Sequence, residues 1–102
     1  MEFLTDTALA TLKQSRGKVA LCFSGAHCPH CHTYVPVFKH AAETRSDWQF
    51  FLVDTADAPA LCDAFGVRAI PLTVLVRDGK ECARQAGTLS PGALAQFLAQ
   101  SE

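Results

Sequence analysis

Cys28-Pro29-His30-Cys31 stands directly after an apolar run, Val19-Ala20-Leu21-Cys22-Phe23, and directly before a stretch with helical periodicity. Two cysteines separated by two residues at a strand-to-helix junction are the sequence form of a dithiol redox centre. The spacing lets both sulfurs close one small disulfide ring. The junction sets the first sulfur at a helix N-terminus, where unpaired N–H groups and the helix dipole favour negative charge. A thiolate attacks disulfides and a thiol does not. The implied chemistry is thiol–disulfide exchange. Cys28 is the expected nucleophile, and Cys31, one turn into the helix and more buried, is the expected resolving thiol. Pro29, His30 and His27 flank the sulfurs and are the candidates to tune them. His30 adds a cationic or hydrogen-bonding neighbour that favours the Cys28 thiolate. A more stable thiolate is a better leaving group, so the pair becomes more oxidising.

The elements that must hold this pair follow from periodicity and breakers. Thr5 or Asp6 is placed to cap a first helix with Ala8, Leu9 and Leu12 on its apolar face, ended by Gly17. Lys18 to Ser24 reads as a strand buried on both faces, because its apolar residues are continuous. A helix follows from about Cys28 to Arg45, with Tyr34, Val35, Phe38, Ala41 and Ala42 at helical spacing and a kink expected at Pro36. Trp48 to Asp54 is a second strand, and Ala58 to Phe65 a short helix with Gly66 at its C-cap. Leu72 to Arg77 and Lys80 to Gln85 form a hairpin across Asp78-Gly79. Ser90 caps a last helix with Pro91 in its first turn. The first two strands should be parallel with a right-handed crossover. The expectation is an α/β domain spanning 1–102, with a mixed sheet of four to five strands and helices on both faces. Glu2 to Leu4 are the candidate fifth strand.

Composition narrows the alternatives. Hydrophobic residues make up 49% of 102, enough for a sizeable core, and the net charge is −1 with both signs mixed along the chain. No basic stripe marks a nucleic-acid face, and no apolar stretch approaches the ~20 residues of a membrane span. The first residues lack the basic and apolar regions of a signal peptide, so the expected location is cytoplasmic and the expected state a monomer. Without a phosphate-binding glycine motif the chain is expected to use no cofactor beyond its own disulfide. Cys22, Cys62 and Cys82 are spread singly and read as small buried hydrophobes. Among them Cys62, on the short helix, is the candidate for an exposed regulatory thiol.

Two other chemistries fit the same residues. Cys28-x-x-Cys31-His32 has the form of a haem attachment signature, but a small cytochrome is mostly helical and this chain has four strand signals. His27-Cys28-Pro29-His30-Cys31-His32 is dense in zinc ligands. A structural zinc site draws on two separated ligand pairs, and no second pair exists, so a metal-binding module is the alternative of a different class. His40 reads as a solvated or packed helix residue.

Taken in order, these motifs resemble the thioredoxin family over nearly the whole chain. Pro36 matches the family's helix proline. Val67-Arg68-Ala69-Ile70-Pro71, about 40 residues after Cys31, resembles its segment ending in a cis-proline. Gly87-Thr88-Leu89-Ser90 resembles the stretch before its last helix. The resemblance implies a thioredoxin fold, a protein disulfide reductase, and electrons from a flavoprotein resembling thioredoxin reductase. It implies that Ile70, Pro71, Gly87 and Thr88 edge a groove for an extended segment of a disulfide-containing protein. The departures are specific. Pro29-His30 is the dipeptide of DsbA-type oxidases, so an oxidase or isomerase of exported proteins is the alternative within the redox class, although about 40 residues between Cys31 and Pro71 leave no space for their helical insertion. A Cys-Pro-His-Cys centre on a thioredoxin-sized body resembles the desulfothioredoxins of anaerobic bacteria. The family's buried Asp falls at Cys22, and the Lys that partners it falls at Phe50. Cys31 is then left to His27, water or the departing substrate thiolate as its base. The expected potential lies between about −270 mV for thioredoxin and about −120 mV for DsbA.

Overall fold

The computed structural model describes residues 1–102. The strands are β1 (Lys18–Ser24), β2 (Gln49–Asp54), β3 (Leu72–Arg77) and β4 (Lys80–Ala86), and the helices α1 (Leu9–Gln14), α2 (Pro29–Thr44), α3 (Pro59–Phe65) and α4 (Pro91–Gln100). The sheet order is β2-β1-β3-β4. β1 runs parallel to β2 and antiparallel to β3, and β3 and β4 form the hairpin. This is an α/β thioredoxin fold with a mixed four-stranded sheet. A fifth strand does not form. Phe3 makes a single parallel bridge to Leu52, with the Leu4 amide donating to the Leu52 carbonyl at 2.8 Å. No helix is long and apolar enough to cross a membrane.

The alternation of β1 builds two cores. Val19, Leu21 and Phe23 face α1 and α3 with Val53, Leu61 and Val74. Ala20 and Cys22 face α2 and α4 with Tyr34, Phe38, Phe50, Leu75 and Leu94. Both faces are covered, which is why β1 and β3 read as continuous apolar runs.

Local chemistry explains the joints. Asp78 and Gly79 both have positive φ, 51° and 83°, as a two-residue hairpin turn with the sheet's own twist requires. A Cβ on Gly79 would come within 2.2 Å of the Lys13 carbonyl oxygen. Ser90 Oγ accepts from the Ala93 amide at 3.1 Å and caps α4. α2 runs continuously through Pro36.

The first helix departs from expectation. A 3-10 turn over Asp6–Ala8 precedes α1, and neither Thr5 nor Asp6 caps it. Asp6 Oδ1 instead accepts from the Leu61 amide at 3.0 Å, in the first turn of α3. That helix has no cap of its own, so the carboxylate is used across the chain. The lone cysteines also separate. Cys22 is buried and Cys62 half-buried, but Cys82 is exposed. Leu75 pairs with Ala83 and Val76 with Glu81, so Cys82 is the extra residue of a β-bulge on the edge strand. The exposed thiol is therefore Cys82, while the Cys62 sulfur lies 4.0 Å from the Thr55 carbonyl.

Candidate active site

The C-terminal end of β1 delivers the chain through Gly25-Ala26-His27 to Cys28, the N-cap of α2. Pro29 takes the first helical position, where its missing N–H would have had no partner. Cys28 Sγ accepts the Cys31 backbone N–H at 3.2 Å, satisfying one of the free amides of the helix start. The thiol also faces the Ile70 carbonyl at 3.8 Å. Cys28 is half-buried and Cys31 is 1% exposed. One sulfur thus meets solvent at a helix N-terminus, and the other lies directly beneath.

Burial pushes the Cys31 thiol up to about 11, and its hydrogen bond to Cys28 acts in the same direction. The Gly25 backbone amide pulls it partly back. Gly25 itself is held close, since a Cβ there would stand 2.9 Å from Ile70 Cδ1.

Ile70–Pro71 is a cis peptide, and the Gly87 amide donates to the Pro71 carbonyl at 2.8 Å. Ile70 therefore adjoins Cys28, and Pro71 adjoins Gly87. Thr88 is exposed just beyond. A cavity of about 360 Å³ opens beside Cys28, lined by His27, Ala26, Asp54, Thr55 and Ile70 among others. Gly87 and Thr88 do not line it. A second cavity of about 340 Å³, between Met1, Lys39 and Trp48, involves none of these residues.

The histidines stay outside. His27 and His30 are exposed, and no hydrogen bond joins either to Cys31. His32 Nε2 donates to the Ala26 carbonyl at 2.9 Å, which ties the loop to the helix. No three His, Cys, Asp or Glu side chains converge as a metal-ligand set.

Beneath the pair there is no carboxylate. Cys22 is fully buried, and burial, then repulsion from Cys31 and Cys28, lifts its thiol to about 12. The β2 residue directly beside Cys22 is Leu52; Phe50 pairs one step back, with Ala20. Phe50, the position the resemblance gives to the lysine, and Leu52 both pack in the same apolar cluster as Cys22. Sequence reasoning also missed the Tyr34–Thr73 hydrogen bond of 2.6 Å, wholly buried under the site. The signal was two hydroxyls on faces otherwise apolar.

The thioredoxin family profile matches residues 3–100. The chain belongs to the thioredoxin family. It is 28% identical over 99 residues to a thioredoxin of Mycoplasmoides gallisepticum, covering 96% of this chain and 99% of that one. It is 35% identical over 83 residues to a putative thioredoxin 2 of Streptomyces coelicolor, covering 81% of this chain and 62% of that one. A solved structure from work on thiol resolution in yeast mitochondrial 1-Cys peroxiredoxin superposes with a TM-score of 0.88. It covers 98% of this chain and 94% of that one at 23% identity, a likeness of fold. Membership of the thioredoxin family makes thiol–disulfide exchange the general chemistry of the pair.

Proposed function

We propose that this thioredoxin-family chain reduces protein disulfides through reversible oxidation of Cys28 and Cys31. The observation that carries the reading is the Cys28 sulfur at the helix start, accepting the Cys31 amide at 3.2 Å with Cys31 beneath it. The Cys28 thiolate attacks a substrate disulfide, forming a mixed disulfide and expelling one substrate thiolate. That thiolate takes the proton of Cys31. The new Cys31 thiolate attacks Cys28 Sγ and releases the second substrate thiolate. The substrate gains two electrons, and Cys28–Cys31 becomes the disulfide.

Ile70 and Pro71, with Gly87 and Thr88 at the edge, support an extended substrate segment paired in β fashion. The exposed His27 and the cavity beside Cys28 give that segment room. A flavoprotein resembling thioredoxin reductase restores the dithiol, and the chain itself works with no cofactor, as a cytoplasmic monomer. The Cys-Pro-His-Cys sequence carries the finer likeness to desulfothioredoxins. In cell extract, Cys31→Ser should trap substrates covalently on Cys28. An extract with no mixed disulfides, from a folded variant, would sink the reading.

A further inference from the structure

β1 and β2 run parallel and end together. Ser24 pairs with Asp54, and the Thr55 amide donates to the Ser24 carbonyl at 2.9 Å. In open α/β sheets, ligands bind beyond the carboxyl ends of parallel strands. In this chain that place is the cavity of about 360 Å³ with Cys28 in its wall. Its lining leaves it open, because Gly25, Ala26 and Ala56 carry almost no side chain and His27 is exposed.

One carboxylate lines this space. Asp54 is half-buried, and its Oδ1 accepts the Ala56 amide at 2.9 Å, which fixes the side chain. Asp54 takes part in none of the chain's ion pairs. No lysine or arginine lines the cavity to neutralise it. Its charge reaches a neighbouring thiol: after burial, Asp6, Asp63 and Asp54 raise Cys62. A half-buried carboxylate without a counterion attracts a cation more strongly than one in bulk water, because the local dielectric is lower. The walls suit the rest of a long cationic side chain, since Ile70 and Ala56 offer apolar surface to its methylene stem. Adjacent residues of an extended segment are about 3.4 Å apart, so a substrate cysteine at Cys28 brings its neighbours to the mouth of the cavity.

We propose that Asp54 is a specificity-determining residue, and that the cavity beside Cys28 receives the side chain of a lysine or arginine flanking the disulfide of a substrate protein. The inference rests on the reductase reading above and names the preferred substrates as disulfides in basic segments.

The test measures the second-order rate at which symmetric disulfides of acetyl-Xaa-Cys-Xaa-amide oxidise the reduced protein, with Xaa as Lys or Gln, in about 0.1 M salt. Each reaction converts one peptide disulfide to two thiols and Cys28–Cys31 to its disulfide, read after acid quench as the loss of two mass tags. Flanking lysines also make the peptide sulfur a better leaving group, so the Lys/Gln rate ratio is compared between variants. Asp54→Asn, and Asp54→Ser as a second neutral variant, each keep an acceptor for the Ala56 amide. Both should lower the ratio about fivefold, the upper end for a partly exposed ion pair. Glu43→Gln removes the same net charge from the last turn of α2, about 20 Å along the helix from Cys28. That is beyond the screening length of about 10 Å, so it should leave the ratio in place. A ratio unmoved by the Asp54 variants overturns the proposal. So does an equal fall with Glu43→Gln, which would be long-range net charge. Failure of the reductase reading is separate: neither peptide would then oxidise Cys28–Cys31 in the parent.

Discussion

Cys22 occupies a place that should reject a charge, and one substitution measures how strongly. The thiol is fully buried between Leu52 of β2 and Thr73 of β3, with no cation in its cluster. Its rise from 9.0 to about 12, caused first by burial, corresponds at about 1.36 kcal/mol per pH unit to about 4 kcal/mol against a negative charge. In Cys22→Asp the carboxylate meets the same surroundings. Its value in the folded chain should climb from about 3.9 to about 7. A raised value means that the folded protein keeps a proton the unfolded chain releases. The variant therefore suffers no charge penalty below about pH 3.9, loses stability as pH rises, and has lost the full about 4 kcal/mol above about pH 7. Small domains hold only about 5–15 kcal/mol in total, so the variant should be marginal at pH 8.

The assay is urea unfolding followed through Trp48 fluorescence at pH 5 and pH 8, with Cys22→Asn as the polar but uncharged control. The gap between the Asp and Asn variants should widen by about 2–3 kcal/mol from pH 5 to pH 8. A constant gap would mean that the carboxylate finds water or a partner there, and the dry floor beneath the redox pair would be refuted.

Other expectations are simpler to check. His30→Pro should lower the reduction potential of Cys28–Cys31, read by equilibration with glutathione and mass-tagging; an equal or higher potential would remove His30 from the account. Gly79→Ala should cost at least about 2 kcal/mol in thermal unfolding, because the φ of 83° and the 2.2 Å approach to Lys13 oxygen both oppose it. Brief alkylation of the native dithiol protein should modify Cys82 and leave Cys22 untouched; peptide mapping that found Cys22 ahead of Cys82 would contradict the bulge. Cys22 and Cys31 have raised values, about 12 and about 11. Their contribution to stability is whole below about pH 9 and should be lost as pH rises from there toward 12, visible as a falling melting temperature.

What the sequence displayed was local chemistry. Asp78-Gly79, Gly66 and Ser90-Pro91 each announce a turn or cap because the conformation is decided by the residue itself or its near neighbours. The bounds of β1 and β3 were legible because continuous apolar runs have few alternatives. The failures all involve partners distant in sequence. Asp6 looked like a cap for its own helix and caps α3, 55 residues on. Cys82 leaves the strand alternation through a bulge that only pairing with β3 creates. Tyr34 looked like one more apolar position of α2, and its hydroxyl gained meaning only when Thr73 was brought to 2.6 Å.

Distance also explains how a symmetric motif acquires two unlike sulfurs. Cys28 and Cys31 are the same residue type three positions apart, and nothing in their chemistry distinguishes them. The fold does so by depth. Cys31 lies under the first turn and holds its proton to about 11, and Cys22, one layer deeper, holds its proton to about 12. Burial is the leading cause in both. Cys28, at the mouth, receives the one helix amide directed at a sulfur. Burial thereby keeps the two deeper sulfurs neutral and leaves Cys28 as the sulfur of the pair that meets solvent. With a neutral thiol in place of a buried acid, the floor adds no negative charge beneath the pair. The Cys31 thiolate then forms against burial and against the neighbouring Cys28 sulfur, and on the proposed reading the tuning of the pair falls to the groups at its rim, which His30→Pro tests.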